Sequence, residues 1–325
     1  MDSLLEQISK PIASDLEDFQ NEFHSSLDSD VNIINTIVKY IVKKKGKRFR
    51  PRLCLLSAKI CGDINKETHI TASLLEILHV ATLIHDDVVD DSDMRRGWPS
   101  VSRVWKNKLS ILIGDYLFSK ALTNMARTNS IEAVKILADL ASRLSQGEIL
   151  QIEQVVNKTI DEESYFRMIS DKTASLFSAS CKLGAITSTS DQIKIKALSS
   201  FGEHLGLAFQ IKDDLFDILG SISDLGKPSG YDLKKNMLTL PLIHIINKKS
   251  SIEKKIFKIK IKLLSRTNSF KSIKSIIINE GGIDYTEKKL QEISLLAEKD
   301  LEVFDESDSK LALIKSLKFN LERKN

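Results

Sequence analysis

Apolar side chains recur along the chain at intervals of three and four residues, the spacing that places them on one face of an α-helix. A clear example is the run that contains Ile131, Val134, Leu137 and Ala141. No stretch alternates apolar and polar residues as a half-buried strand does, and the Asn-Gly and Asp-Gly pairs of tight hairpins are absent. The pattern therefore predicts an all-α protein.

Proline and glycine positions predict where the helices end. None of the five prolines lies between Pro99 and Pro228, so this stretch can hold several long helices, because proline breaks helix interiors. Breaks are predicted at residues 63–65, at 96–99 after a first acidic helix, and at 220–231.

The composition is that of an ordinary globular protein. Of its 325 residues, 42% are hydrophobic and 28% are charged, which allows a substantial core. No repeat or low-complexity linker divides residues 1–325, so a single all-helical domain is expected. The net charge of +4 is too small to indicate a nucleic-acid partner, although a local basic cluster could still hold a phosphate-bearing small molecule.

Three sequence features favour a cytoplasmic protein. The N-terminus lacks the basic start and apolar run of a signal peptide. The chain contains no run of about 18 apolar residues, which is the length that a membrane-spanning helix needs. The three cysteines, Cys54, Cys61 and Cys181, are too few and odd in number for a disulfide framework, so reduced thiols are expected.

A lysine-rich segment extends from Lys248 to about Lys274 and contains isoleucine and leucine throughout. Because a free tail would lack those apolar residues, the segment is interpreted as a solvated helical region. A basic interaction surface is the less favoured interpretation.

The segment from Leu74 to Asp90 is strongly apolar and then abruptly acidic. On a helix, Asp86 and Asp90 lie one turn apart on the same face, Asp87 lies beside them, and His79 lies two turns earlier. Like charges at this spacing repel, so the carboxylates are expected to be fully solvated or to bind a cation. Carboxylate oxygens suit magnesium or calcium, and magnesium commonly binds through one or two carboxylates together with substrate phosphates.

Two arginines, Arg95 and Arg96, follow this acidic turn. They could simply pair with its carboxylates, or they could hold diphosphate oxygens through bidentate hydrogen bonds.

A second segment, from Glu203 to Asp217, repeats the design. Gln210, Asp214 and Asp217 fall on one helix face, and Asp213 borders that face. Two such patches, each after a mainly apolar helix and before basic residues, are hard to explain by solvation alone. If they faced each other across a cavity, they would form a clamp for several metal ions and a polyphosphate.

Basic residues cluster at 43–52, where a glycine and Pro51 favour a loop that opens a helix. Basic side chains beside a helix N-terminus suit a bound phosphate, and a solvated run or a nucleic-acid patch is the alternative. A separate pair, Lys172 and Thr173, stands among small residues. Those residues predict a helix that a neighbour or an apolar ligand approaches closely.

Together, in this order and spacing, the motifs resemble those of the trans-type polyprenyl diphosphate synthases, from about residue 20 to the C-terminus. They are the first aspartate motif with its Arg-Arg-Gly, Gly46-Lys47-Arg48-Phe49-Arg50-Pro51, Lys172-Thr173, Phe209-Gln210-Ile211-Lys212-Asp213-Asp214-Leu215-Phe216-Asp217 and Gly226-Lys227-Pro228. The run from Thr82 to Gly97 is similar to long-chain, octaprenyl-type members. The resemblance implies an isoprenoid-synthase helical bundle around a central active-site cavity, and a prenyltransferase that elongates an allylic diphosphate with isopentenyl diphosphate.

The resemblance also implies a role for each motif residue. Magnesium on the allylic diphosphate would be held by Asp86, Asp87, Asp90, Asp213, Asp214 and Asp217. That diphosphate would be contacted by Arg95, Lys172, Thr173, Gln210 and Lys227. Isopentenyl diphosphate would be bound by Lys47, Arg50, His79 and Arg96. The residues expected to carry catalysis are Asp86, Asp90, Arg95, Lys172 and Asp214.

One departure from the family pattern affects a diphosphate contact. Met237 stands where many relatives have a lysine, and Lys234 or Lys235 could substitute for it.

Product length is expected to depend on the helix that precedes the first patch. In this family a bulky residue five before the first aspartate often blocks chain growth, and here that residue is Ala81, followed by Thr82. One helical turn rises about 5.4 Å, comparable to one isoprene unit, so helix rows act as a coarse ruler. Leu78 and Phe118 are candidate lower walls of the tunnel. For Leu74 and Met125, ordinary core packing is the preferred interpretation. A long product is expected, with octaprenyl diphosphate for a quinone side chain the best single choice.

The expected substrates are farnesyl or geranyl diphosphate and isopentenyl diphosphate, the expected cofactor is magnesium, and the expected assembly is a homodimer. The product could be passed to a membrane enzyme. A terpene cyclase, a non-catalytic subunit of a heteromeric synthase and a helical metal-binding scaffold are the alternatives. The second aspartate motif and the pair Lys47 and Arg50 argue against a cyclase.

Overall fold

A computed structural model describes residues 2–43, 46–95, 97–157, 161–219, 237–267 and 269–322 of the chain. The described residues are almost entirely helical, as the sequence predicts. Within them, no helix is long and apolar enough to span a membrane.

The described residues form a series of α-helices. In chain order they are α1 (Asp2–Ser9), α2 (Ala13–Ser26), α3 (Asn32–Lys43), α4 (Phe49–Cys61), α5 (Lys66–Val89), α6 (Val101–Arg127), α7 (Ile131–Asn157), α8 (Glu162–Ile169), α9 (Ser175–Ile186), α10 (Gln192–Leu219), α11 (Leu240–Asn247), α12 (Ser251–Arg266), α13 (Phe270–Asn279), α14 (Gly282–Asp300) and α15 (Asp308–Glu322). Short 3₁₀ turns occupy Lys10–Ile12 and Leu301–Val303, and a π-helical turn occupies Ser170–Ala174.

The expected long helices between the prolines are present. Helices α6 and α7 each have 27 residues and α10 has 28. Helix α6 is interrupted at Lys106, whose φ of 68° is not helical.

A small β-ribbon was not predicted by the sequence pattern. Strands β1 (Met94–Arg95) and β2 (Trp98–Pro99) pair antiparallel, with Arg95 opposite Trp98. Gly97 turns the chain between them with a φ of 77°, which glycine adopts without strain. The expectation that residues 96–99 end the first acidic helix is therefore wrong, because α5 already ends at Val89 and the chain reverses in the ribbon.

The chain divides into two compact units. The first contains residues 1–140, 176–202 and 301–316, and the second contains residues 141–175, 203–300 and 317–325. The assignment of a single domain to residues 1–325 stays a prediction.

Helix α5 forms the centre of the first unit and packs against α2, α4 and α6. Asn65 caps its N-terminus. The side-chain oxygen of Asn65 accepts a hydrogen bond of 3.1 Å from the Thr68 amide, and the hydroxyl of Thr68 accepts one of 3.3 Å from the Asn65 amide. Residues 70–78 of α5 are all buried, so this stretch is enclosed on every side, and its polar residues Thr71, Ser73 and Glu76 are buried with the apolar ones.

Helix α9 lies very close to α4 in the same unit. A Cβ added to Gly184 would stand 2.1 Å from the carbonyl oxygen of Cys54, so only glycine fits there. Cys54 and Cys181 are buried free thiols, whereas Cys61 is partly exposed. Burial raises the thiol pKa of all three, that of Cys61 to about 11, so none is a ready nucleophile at neutral pH.

The second unit has its own apolar core. Buried residues of α8, α10, α11, α12, α13 and α14 form one cluster, which includes Tyr165, Leu215, Ile243 and Ile277. This core fixes the helix that carries the second acidic patch.

Candidate active site

The first acidic patch lies at the C-terminal end of α5. The amide of Asp90 donates to the carbonyl of Asp86 over 2.8 Å, so these two residues keep the one-turn spacing expected from the sequence. Asp91 then leaves the helix with a φ of 48°, and the amide of Ser92 returns to the carbonyl of Asp87 over 2.9 Å.

This location makes the acidic turn electrostatically unfavourable without a cation. The C-terminus of a helix carries a partial negative charge, and acidic side chains there are destabilising. Asp86 and Asp90 are partly exposed, so a ligand can reach them. Carboxylate oxygens fit a hard divalent cation.

Asp87 has a different environment from its two neighbours. Its side chain is 3% exposed, and its Oδ1 accepts a hydrogen bond of 2.7 Å from Nε of Arg95. The ribbon that carries Arg95 is thereby tied to the end of α5. The structure brings together two residues that the sequence assigned to metal and to diphosphate, and it shows that Asp87 orients an arginine.

The basic cluster has the expected local structure. Helix α4 begins at Phe49 and includes Pro51 in its first turn, and Arg48 precedes it with a φ of 43°. Nη1 of Arg50 donates to Nε2 of His79 over 2.9 Å. Since arginine has only donors, that imidazole nitrogen must be the acceptor. The guanidinium of Arg50 also lies 4.8 Å from the centre of the Phe177 ring.

An open cavity in the first unit joins several of these residues. Its empty volume is about 760 Å³ including its opening, and His79, Asp87 and Arg95 all line it. A residue predicted to bind isopentenyl diphosphate therefore shares a cavity with one predicted to bind the allylic diphosphate. Lys47 is exposed in the loop before α4.

The second acidic patch is organised by a chain of hydrogen bonds within the second unit. Oγ1 of Thr173 donates to Oε1 of Gln210 over 2.8 Å, and Nε2 of Gln210 donates to Oδ1 of Asp214 over 2.8 Å. The hydroxyl of Tyr165 donates to the other carboxylate oxygen of Asp214 over 2.6 Å. Three residues that the sequence assigned to one diphosphate site are thus connected side chain to side chain.

Asp214 is the most deeply buried carboxylate of this patch, with 5% of its surface exposed. Burial raises its pKa to about 6, and the nearby Asp217 acts in the same direction. Hydrogen bonds from Tyr165 and Gln210 and the charge of Lys172 lower the pKa again. Asp213 and Asp217 remain partly exposed on the same helix.

Lys172 and Thr173 stand in the π-helical turn that joins α8 to α9. Such turns are rare and often occur at functional sites. Nζ of Lys172 lies 2.6 Å from Oε1 of Glu148 and 2.9 Å from Oε1 of Gln151, both on α7. The close approach predicted at this pair is confirmed, because a Cβ on Gly147 would stand 2.5 Å from the Lys172 amide.

An arginine on α7 holds the same turn from another side. Nε of Arg143 donates to Asp171 over 2.8 Å, and its Nη2 donates to Ser170 and to Glu203, each over 2.8 Å. This ionic cluster fixes the turn that presents Lys172.

Sequence reasoning missed Tyr165, Arg143, Glu148 and Gln151. Tyr165 is 49 residues from the carboxylate it contacts, and no motif spacing could connect them. The acidic residue Glu148 next to Gly147 was a weak signal, since nothing in the sequence pairs it with a lysine 24 positions later.

The chain-length candidates occupy two helices of the first unit. Ala81 and Leu78 are buried on α5, and the hydroxyl of Thr82 donates to the carbonyl of His79 over 2.9 Å. Phe118 on α6 is half-buried. The core assignment of Leu74 and Met125 agrees with their complete burial.

Some predicted residues lie outside the described residues. These are Arg96, Lys227, Lys234 and Lys235, together with the expected loop at 220–231. Met237 is described and is partly exposed. Within the described part of the chain, no three His, Cys, Asp or Glu side chains form a ready-made metal site. Magnesium does not require one, because it usually takes substrate phosphates as further ligands.

Replacement of Tyr165 by phenylalanine tests the buried network of the second unit. We expect a loss of about 1–3 kcal/mol in the free energy of unfolding, because a buried carboxylate oxygen loses its donor. The pKa of Asp214 is already raised, so this carboxylate destabilises the fold as the pH rises through about 6. Without the tyrosine hydroxyl that penalty grows, and the loss measured by urea unfolding in EDTA should be larger at pH 7.5 than at pH 5.

Tyr40→Phe is the matched control for this experiment. The Tyr40 hydroxyl donates to the exposed carbonyl of Pro99 over 2.7 Å, where water can replace it. Equal losses in the two variants, or a Tyr165→Phe loss that does not change with pH, would contradict the assigned role.

The chain is similar to several known proteins. A family model described as polyprenyl synthetase matches residues 31–278. The octaprenyl diphosphate synthase of Haemophilus influenzae is 31% identical over 319 residues, which cover 98% of this chain and 97% of the relative. The all-trans-nonaprenyl-diphosphate synthase (geranyl-diphosphate specific) of Rhodobacter capsulatus is 31% identical over 319 residues, with 98% of each chain covered.

A solved structure extends the likeness to the fold. The polyprenyl synthase of Caulobacter crescentus CB15, complexed with calcium and isoprenyl diphosphate, matches with a TM-score of 0.91 and 32% identity. The match covers 99% of this chain and 98% of that chain. It confirms the all-α isoprenoid-synthase fold that the sequence predicts. This chain belongs to the polyprenyl synthetase family.

Proposed function

We propose that this protein elongates an allylic diphosphate by successive head-to-tail condensation with isopentenyl diphosphate. Family membership and the two near full-length relatives support a prenyl diphosphate synthase. The observation that carries the proposal is the linked set of Thr173, Gln210 and Asp214, in which two predicted diphosphate contacts are hydrogen-bonded to a predicted metal ligand.

The reaction breaks the bond between the allylic carbon and its diphosphate oxygen, and the diphosphate leaves with the electron pair. The double bond of isopentenyl diphosphate attacks the electron-deficient carbon, a new carbon–carbon bond forms, and a proton is lost from the adduct. The departing diphosphate is a suitable proton acceptor. No side-chain nucleophile is required.

The charged side chains serve this reaction by binding and orienting two diphosphates. Arg95, held by Asp87, and Lys172, held by Glu148 and Gln151, would exchange part of these contacts for oxygens of the allylic diphosphate. Arg50, His79 and Lys47 would bind isopentenyl diphosphate, and the contact between Arg50 and His79 already places two of them together.

Magnesium is the cation we propose, with Asp86 and Asp90 holding it in the first unit and Asp213, Asp214 and Asp217 in the second. Asp87 would support the first group through Arg95. When bound, the cation would neutralise charge on the leaving diphosphate.

We further propose a long-chain product, with octaprenyl diphosphate for a quinone side chain as the specific choice. The small residues Ala81 and Thr82 support a path for the growing chain beside α5, and the relatives named above make octaprenyl and nonaprenyl products. A homodimer, a cytoplasmic location and transfer of the product to a membrane enzyme belong to the same proposal.

Incubation of the purified protein with farnesyl diphosphate, isopentenyl diphosphate and magnesium tests the proposal directly. We expect magnesium-dependent release of diphosphate and a ladder of elongated products, which reversed-phase chromatography after dephosphorylation will resolve. The longest main product gives the chain length, and geranyl diphosphate in a parallel incubation tests the primer.

Other outcomes of the same incubation distinguish the alternatives. A cyclic hydrocarbon formed without isopentenyl diphosphate would indicate a terpene cyclase. No product from the protein alone would contradict the proposal and favour a subunit that needs a partner.

A further inference from the structure

Helix α12 has two apolar faces, and within the described part of the chain only one of them packs against other helices. Phe257 and Ile261 are buried in the core of the second unit, and Leu264 packs beside them. A surface helix normally has a single apolar stripe that faces the core and a polar opposite side. The other side of α12 therefore requires a separate explanation.

The second face is a stripe of four large apolar side chains. Ile252, Ile256, Ile259 and Leu263 follow one another at spacings of four, three and four residues, so they line one side of the helix. Their exposed fractions lie between 62 and 74%, which places all four in contact with solvent. Single exposed apolar residues are common, but an aligned set of this kind indicates an interaction surface.

Basic side chains border this stripe on both sides. Lys255 and Lys262 lie one turn from Ile259 on one edge, and Lys260 lies one turn from Ile256 on the other. Between residues 248 and 274 the chain has ten basic residues and one acidic residue, out of totals of 48 and 44. The rest of the chain therefore has a net negative charge, and the excess positive charge lies in the segment that contains the stripe.

We propose that the exposed face of α12 binds the surface of a membrane that contains anionic lipids. An apolar stripe can enter the boundary between headgroups and acyl chains while flanking lysines reach the lipid phosphates. Each lysine near an anionic leaflet contributes attraction, and several act together. The sequence predicts a solvated helical region in this lysine-rich segment. The segment contains helix α12, and the solvated face of α12 carries the proposed surface.

Charge complementarity favours a membrane over the other occupants. A second copy of the chain on this face would bring the same lysines together across a two-fold axis, and like charges oppose that contact. Nucleic acid would satisfy the lysines but would leave four isoleucine and leucine side chains without an apolar partner.

The surface itself does not depend on the proposed function. If the proposed function is correct, the membrane surface would receive a product whose polyprenyl chain is too apolar for water. That role rests on the proposed function, whereas vesicle binding can be measured without any substrate.

Sedimentation with sucrose-loaded vesicles tests the surface. We expect the full-length protein to pellet with vesicles of phosphatidylcholine and phosphatidylglycerol and to remain in the supernatant with phosphatidylcholine alone. Raising the salt from 0.1 M to 0.5 M should weaken the binding. The screening length is about 10 Å at 0.1 M and becomes shorter at higher salt, so the attraction between lysines and anionic lipids is reduced.

Two double variants separate the apolar and charged contributions. Ile256→Gln with Ile259→Gln, and Lys255→Glu with Lys260→Glu, should each weaken vesicle binding by at least about tenfold. The matched controls are Ile193→Gln, at a residue that is 71% exposed on α10, and Lys135→Glu with Lys196→Glu, at two exposed lysines on other helices. The controls should bind as the unaltered protein does, and all variants should keep its helical circular dichroism and unfolding midpoint.

Several results would overturn the proposal. They are equal binding to neutral and anionic vesicles, normal binding by both double variants, and equal losses in the controls. A change of oligomeric state in the isoleucine variant, measured by light scattering, would instead identify α12 as a contact between copies. Failure of vesicle binding together with a normal product ladder would reject this surface and leave the proposed function intact.

Discussion

The Asp86→Asn variant is expected to keep its fold and to lose at least about 10²–10³-fold in condensation rate. Asp86 lies on the last turn of α5, where its carboxylate adds to the negative end of the helix. An amide has nearly the same shape but cannot offer a charged oxygen to a divalent cation. The rate should be measured as diphosphate release with farnesyl and isopentenyl diphosphates, at saturating magnesium.

Stability should change in the opposite direction from activity. Removing a negative charge at a helix C-terminus is expected to stabilise the metal-free protein by about 0.3–1 kcal/mol. A urea titration in EDTA measures that gain. Activity and stability that both fall would indicate a structural role for Asp86.

Asp91→Asn is the control for this variant. Asp91 is exposed, stands five positions later in the same acidic run, and has a φ of 48° that asparagine tolerates. It should keep near-normal activity. If Asp86→Asn were as active as this control, the assignment of the first metal site would be wrong.

The Ala81→Phe variant is expected to shorten the product by several isoprene units while diphosphate release continues. Ala81 is buried on α5, five residues before Asp86, and has 1% of its surface exposed. A phenylalanine there would fill the path proposed for the growing chain. The product ladder after dephosphorylation, compared with that of the unaltered protein, measures the effect.

Ala58→Phe controls for the strain that any large side chain introduces into a packed core. Ala58 is fully buried on α4 in the same unit. Both substitutions should destabilise the fold by about 1–3 kcal/mol, but only Ala81→Phe should shift the product. An unchanged product from Ala81→Phe would exclude this residue from the chain-length path, and a shift in both variants would trace it to loss of stability.

Helical periodicity and proline spacing were sufficient to predict the all-α fold and the long helices α6, α7 and α10. These features depend on local rules, because helix faces and helix breaks are properties of nearby residues. The end of α5 was not predictable in the same way. Asp90 and Asp91 are compatible with helix or turn, and the chain leaves the helix there before Met94 and Arg95 pair with Pro99 and Trp98.

In the candidate site, too, the sequence predicted short-range relations between residues but not the contacts that depend on the folded chain. The sequence placed Asp86 and Asp90 one turn apart, and it placed Gln210 and Asp214 on one face, where the structure shows them hydrogen-bonded. It could not show that Asp87 is buried against Arg95, since this depends on where the chain reverses after the helix.

By itself, the sequence determined the helical fold, the acidic and basic motifs and the family to which they belong. Each of these features depends on the spacing of residues that are close together in the chain. Only the tertiary structure decided which side chains hold those motifs in place. Tyr165 reaches Asp214 across 49 positions, and Glu148 reaches Lys172 from another helix. The tertiary structure also decided the roles of the two apolar faces of α12, which are alike in sequence. Packing alone determined that one face is buried and that the other is exposed to solvent.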